Sequence, residues 1–151
     1  MIHPNMATML VFITTDAKVE PAVLQAALSS VVPATFNQIS VDGDTSTNDT
    51  CLLLANGLAG NKKITEKDAS YDAFVEALME VNRTLAKMMA GDGEGATALF
   101  EVKVVGARSR EEAKILSKSV ITSSLTKAAI FGHDAQLGPY PLCTGIFRRH
   151  F

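Results

Sequence analysis

The sequence has few of the features that mark membrane, secreted or nucleic-acid-binding proteins. It has no apolar run of about 18 residues and no signal-peptide pattern, which predicts a cytoplasmic protein without a membrane segment. Its formal charge of −2 does not favour nucleic acid or an anionic lipid surface as a partner. Its two cysteines, Cys51 and Cys143, make neither a disulfide framework nor a metal pattern. Cys51 lies beside three leucines and is predicted to be a buried core thiol.

What the sequence does contain is typical of one folded domain. It has 151 residues, of which 47% are hydrophobic and 20% are charged, so a substantial core is expected. Apolar runs and apolar–polar alternation predict four strands: Met9–Thr14, Thr50–Ala55, Leu99–Val105 and Leu125–Phe131. The first strand is expected to be buried on both faces, because its apolar residues do not alternate with polar ones. These strands alternate with helices, which indicates an α/β or α+β class.

Local signals place the ends of the predicted helices. Pro21 is typical of a first helical turn, and Pro33 is expected to end that helix. Either Asp68 or Ser70 can cap a long helix whose apolar residues recur every three or four positions. Ser109, with Glu112 three residues later, makes a capping box for a helix to about Val120.

The first ten residues carry the strongest chemical signal. Pro4 and Asn5 predict a turn, and Ala7 and Thr8 then precede the predicted apolar strand. Cleavage of the Ala7–Thr8 bond would make Thr8 an N-terminal threonine. Its α-amine, with an ordinary pKa of about 8, could then act as the base that activates its own hydroxyl. One residue would supply both the nucleophile and the base.

Several motifs resemble those of the ornithine acetyltransferase (glutamate N-acetyltransferase) family of arginine biosynthesis. They occur in the family's order as Pro4–Leu10, Thr14–Ala17, Phe36–Thr50, Gly91–Thr97 and Thr126–Ala135. The resemblance implies self-cleavage at Ala7–Thr8 and acetyl transfer from N-acetylornithine to glutamate through an acetyl ester on Thr8. It implies no cofactor, with acetyl-CoA as a further acetyl donor if the parent enzyme is bifunctional. It also implies a layered α/β/β/α sandwich of α+β class, incomplete in this chain.

Glu94 is the second site residue that the resemblance indicates. It lies in a Gly-Glu-Gly turn, where glycines let the backbone approach a ligand, and its carboxylate could pair with the ammonium group of an amino-acid substrate. The alternative is an exposed loop acid. Ala98 stands where the family commonly has a basic residue, which argues against a charge role at that position but not against Glu94.

Two other polar groups have weaker chemical interpretations. The segment 42–49 lacks the glycine and the distal glutamate of a calcium loop, so hydrogen-bonded turn structure is predicted there and no metal site. His133 and Asp134 are expected to form a structural polar pair at a strand end, with a catalytic pair as the alternative.

The resemblance also shows where this chain departs from the family. The family's preceding region, with a lysine and a threonine–glycine oxyanion hole, is expected to be missing, so residues 1–7 are the end of the segment before the cut. Residues 1–135 are assigned to a partial domain, and residues 136–151 to an out-of-frame tail. A synonymous back-translation of 136–147, read one base later, spells Asn-Trp-Gly-Arg-Ile-Leu-Cys-Ala-Leu-Gly-Tyr-Ser, the expected family continuation.

Three functions are compatible with the sequence. The first is a part of the acetyltransferase β chain that is inactive alone, with N-acetylornithine and glutamate as small-molecule substrates and a missing α chain as its partner in a heterotetramer. The second is a related self-processed aminopeptidase with the same type of nucleophile. The third is an inert or partner-dependent fragment.

Overall fold

The computed structural model describes residues 9–41, 43, 48–93 and 95–133, together with the backbone of 145–150. Its helices and strands follow in the order β1 (Leu10–Thr15), α1 (Pro21–Val31), β2 (Thr50–Ala55), α2 (Ala69–Gly91), β3 (Leu99–Val104), α3 (Arg110–Ile121), α4 (Ser124–Phe131) and β4 (Gly145–His150). Two short 3₁₀ turns, Val32–Ala34 and Phe36–Gln38, follow α1. The class is mixed α+β, as predicted.

The strands form two separate pairs. β1 and β2 are parallel, with Leu10 opposite Thr50 and Thr15 opposite Ala55. β3 and β4 are antiparallel, with Leu99 opposite His150. The parallel pair requires a crossover, which α1 and the two 3₁₀ turns supply.

The core lies between the inner face of β1 and the two helices α1 and α2. Alternate residues of β1 point inward, and they join one cluster with buried side chains of both helices and the loops between them: Met9, Val11, Ile13, Ala27, Leu28, Val31, Phe36, Ile64, Tyr71, Leu78 and Ala86. Alternation along the strand puts these β1 residues on one face of the sheet.

The opposite face of the parallel pair is exposed, so the prediction of a strand buried on both faces is wrong for this chain. Leu10 and Phe12 are 63% and 62% exposed, and Leu52 and Leu54 beside them are 44% and 54% exposed. The continuous apolar run does form a strand of a parallel sheet, but among the described residues the helices cover one side of it only.

The predicted helix caps are confirmed. Asp68, rather than Ser70, caps α2, because its Oδ1 accepts a hydrogen bond from the Tyr71 amide at 3.0 Å. At α3 the Ser109 hydroxyl accepts from the Glu112 amide at 3.1 Å, while Glu112 Oε2 accepts from the Arg108 amide at 2.7 Å. The capping box therefore closes one residue earlier than its usual form.

The prediction of a strand at Leu125–Phe131 is wrong, because this segment is helix α4. The Ser123 hydroxyl caps it by accepting from the Thr126 amide at 3.3 Å. Thr126 is buried, whereas Leu125 and Phe131 are exposed. A short apolar run fits a strand and a helix equally well, and here the serine cap decides in favour of the helix.

Candidate active site

The start of β1 is held by two hydrogen bonds to consecutive residues. The Met9 amide donates to Asp49 Oδ1 at 2.5 Å, and the Met9 carbonyl accepts from the Thr50 amide at 2.8 Å. Met9 itself is buried at the end of the core. The predicted cleavage residues Ala7 and Thr8 lie outside the described residues, so the structure describes this site up to the residue that follows the predicted nucleophile.

Glu94 also lies outside the described residues, but the two glycines on either side of it line a cavity of about 660 Å³. Gly95 has φ of 69°, a left-handed conformation that a side chain would strain. The Ala96 amide donates to the Gly93 carbonyl at 2.8 Å and closes the turn. Pockets for small molecules span roughly 300–1,000 Å³, so an amino-acid substrate fits this volume.

The cavity lies between the end of α2, strand β3, helix α4 and the segment after α1. Among the residues that the structure describes, its charged lining residues are Arg83, Lys87, Glu101 and Lys127. Lys87 Nζ lies 3.1 Å from Glu101 Oε2, and Arg83 Nη1 lies 2.5 Å from Glu80 Oε2. Among the described lining residues there are three cations and one carboxylate, and Glu80 outside the lining pairs with Arg83. This charge distribution is compatible with a ligand that has carboxylate groups.

Lys127 has a contact that the sequence did not reveal. It is half-buried on α4, and its Nζ donates a hydrogen bond to the Val41 carbonyl, 86 residues away along the chain. Val41 lines the same cavity and begins the loop that ends at Asp49. One loop therefore connects the cavity wall with the start of β1. The only sequence signal was that Lys127 belongs to a matched motif.

His133 and Cys51 are the remaining candidates that the structure describes. His133 follows α4 with φ of 54°, and its predicted partner Asp134 lies outside the described residues. Cys51 is half-buried against the core instead of fully buried, and burial raises the pKa of its thiol, which lowers its reactivity at neutral pH.

The part of the chain that is described contains neither a membrane-spanning helix nor a metal cluster. No helix there has both the length and the apolar character needed to cross a membrane. No group of three or more histidine, cysteine or carboxylate side chains in the same ranges could hold a metal ion. Five residues of the loop 42–49 are outside those ranges.

Comparison with known proteins decides the family. A family model described as the ArgJ family matches residues 1–149. The chain belongs to the ArgJ family. This result confirms the resemblance inferred from the motifs.

Individual ArgJ proteins give the same result. The chain is 57% identical over 138 residues to the arginine biosynthesis bifunctional protein ArgJ of Lactococcus lactis, which is 91% of this chain and 35% of that protein. It is 54% identical over the same length to the ArgJ of Caldanaerobacter subterraneus, of which it covers 34%. The chain thus spans about a third of the length of these relatives.

A solved structure supports the fold. The crystal structure of the arginine biosynthesis bifunctional protein argJ from Bacillus halodurans superimposes with a TM-score of 0.79 and 45% identity. The match covers 85% of this chain and 61% of that chain.

Proposed function

We propose that this chain is part of an enzyme that transfers an acetyl group from N-acetylornithine to glutamate. The observation that carries the proposal is membership of the ArgJ family, supported by 54–57% identity to arginine biosynthesis bifunctional proteins over 138 residues. Since the chain spans about a third of those relatives, the activity belongs to a longer assembly.

The proposed chemistry begins with cleavage between Ala7 and Thr8, which frees the Thr8 amine. The Thr8 hydroxyl then attacks the acetyl carbonyl, and its proton passes to that amine. The tetrahedral intermediate breaks its C–N bond, and ornithine leaves with the proton. The glutamate amine attacks the resulting acetyl ester, which breaks the C–O bond and restores the hydroxyl. The reaction needs no cofactor, and acetyl-CoA is a further donor if the enzyme is bifunctional.

The cavity is the proposed place for the amino-acid part of the substrates. N-acetylornithine carries one carboxylate and one ammonium group, and glutamate carries two carboxylates and one ammonium group. Glu94, between two cavity-lining glycines, would pair with the ammonium group. Lys127, already at the cavity wall, and Arg83 would attract the carboxylates.

Each acyl-transfer step also needs donors aimed at an oxyanion. One such donor contributes about 2.7–4 kcal/mol to the transition state. We propose that these donors come from a part of the ArgJ assembly outside the 151 residues, so that these residues alone are inactive. Measurable acetyl transfer by the purified 151-residue chain would contradict this assignment.

The exposed outer face of β1 and β2 favours a partner-dependent chain. Four large apolar side chains lie side by side there: Leu10, Phe12, Leu52 and Leu54. Parallel sheets are normally covered on both faces. We propose that other segments of the ArgJ assembly supply the second layer, as in an α/β/β/α sandwich within an α/β heterotetramer.

The function can be tested in a chimera in which residues 1–135 replace the matching segment of the Lactococcus lactis relative. N-acetylornithine with a ¹³C-acetyl group should yield labelled N-acetylglutamate, detected by mass spectrometry, together with a chain that begins at Thr8. The Thr8→Ala variant should neither cleave nor transfer the label. Thr65→Ala, at an exposed threonine in the loop before α2, is the matched control and should retain both activities.

Two outcomes would oppose the proposal. Normal turnover by the Thr8→Ala chimera would remove the nucleophile from the mechanism. Hydrolysis of an amino-acid p-nitroanilide without acetyl transfer would support the self-processed aminopeptidase instead.

A further inference from the structure

Asp49 holds the peptide bond that joins the predicted nucleophile to β1. Strand β2 begins at Thr50, and its amide binds the Met9 carbonyl at 2.8 Å. The Met9 amide, in contrast, has a side-chain acceptor, Asp49 Oδ1, at 2.5 Å. This amide nitrogen belongs to the Thr8–Met9 peptide bond, which is planar. By accepting its hydrogen bond, the Asp49 carboxylate restrains the orientation of the peptide plane that joins Thr8 to β1.

We propose that Asp49 is a positioning residue for Thr8, an inference that rests on the proposed function. With the Met9 amide and carbonyl both held, few backbone and side-chain torsions remain between this anchored peptide plane and the Thr8 hydroxyl. Asp49 therefore sets where the hydroxyl and the freed amine lie relative to the acetyl carbonyl.

The loop that carries Asp49 is itself anchored at the cavity. Its first residue, Val41, accepts the hydrogen bond from Lys127, and both residues line the cavity wall. Asp49 is half-buried at the other end of the loop. Val41 and Asp49 therefore lie at the two ends of one chain segment, Val41 at the cavity wall and Asp49 at the start of β1.

A positioning function makes a specific prediction about three substitutions in the chimera. Asp49→Asn keeps an oxygen at the same place, Asp49→Glu keeps the charge but moves the oxygen by about one C–C bond, or 1.5 Å, and Asp49→Ala removes both. A displacement of about 1 Å at a reacting group can cost about 100-fold in rate. We expect kcat to fall least in the Asp49→Asn variant and by about 10- to 100-fold in the Asp49→Glu and Asp49→Ala variants. The KM for N-acetylornithine should change less than threefold in all three.

The readouts separate positioning from folding and from charge. Each variant is checked for an unchanged unfolding midpoint, and the formation of the acetyl ester on Thr8 is timed by mass spectrometry in a single turnover. Asp16→Ala, at the exposed opposite end of β1, removes the same charge and should react at the normal rate. Glu retaining more activity than Asn would show that the charge matters and not the position, which overturns the proposal.

The failure of this inference can be distinguished from failure of the proposed function. If Thr8→Ala is inactive but Asp49→Ala acetylates Thr8 at the normal rate, Asp49 is not a positioning residue and the proposed function stands. If Thr8→Ala itself turns over normally, the proposed function fails first.

Discussion

Asn82 is a polar side chain whose replacement should stabilise the protein. It lies on α2, is 0% exposed and is flanked on the same helix face by the buried residues Leu78 and Ala86. In the described structure neither its Oδ1 nor its Nδ2 has a hydrogen-bond partner. A buried polar group without a partner costs about 1–3 kcal/mol of folding free energy.

The Asn82→Leu variant removes this cost and keeps the number and branching of the side-chain heavy atoms. We expect the free energy of unfolding to rise by about 1–3 kcal/mol. For a chain of this size each kcal/mol raises the melting temperature by roughly 2–4 °C, so the expected gain is about 2–12 °C. Urea unfolding followed by circular dichroism measures the change, and an unaltered denaturant slope shows that the unfolded state is unchanged.

Asn61 provides the matched control because its amide is fully used. Its Oδ1 accepts from the Lys18 amide at 2.8 Å, and its Nδ2 donates to the Lys18 and Lys62 carbonyls at 3.2 and 2.8 Å. The same change, Asn61→Leu, should destabilise by about 1 kcal/mol or more. If Asn82→Leu instead destabilises the chain as Asn61→Leu does, the Asn82 amide is hydrogen-bonded in solution and the reasoning is wrong.

The remaining predictions concern the exposed sheet face, the thiol and the tail. Phe12→Thr on the exposed face of β1 should reduce aggregation of the isolated chain, measured by light scattering. Val11→Thr on the buried face should instead unfold the chain. Equal effects of the two variants would contradict a sheet that is covered on one face and exposed on the other. Since burial raises the pKa of the Cys51 thiol, Cys51 in a Cys143→Ser background should react several-fold more slowly than free cysteine at pH 8, and faster as rising pH forms the thiolate. A rate equal to that of free cysteine would refute this. We predict that residues 136–151 are an out-of-frame tail, so sequencing of the gene should show one extra base near codon 136. An in-frame tail would rule this out.

The sequence by itself determined the family, the class and most of the helix ends. Asp68 and Ser109 each act within three residues of the amides they bind, so their cap function is visible in a local pattern. The two parallel strands have apolar runs long enough to predict. The matched motifs are runs of consecutive residues, so they are sufficient to identify the ArgJ family without knowledge of the fold.

Only the tertiary structure decided which polar groups meet and which apolar faces are covered. Asp49 and Met9 are 40 residues apart, and Lys127 and Val41 are 86 residues apart, so no local pattern encodes either contact. The same apolar run predicts a strand whether one face or both are covered, because coverage depends on what packs against it. Helix α4 is a further example, because the apolar pattern of Leu125–Phe131 fits both a strand and a helix. The Ser123 cap and the burial of Thr126 decide in favour of the helix.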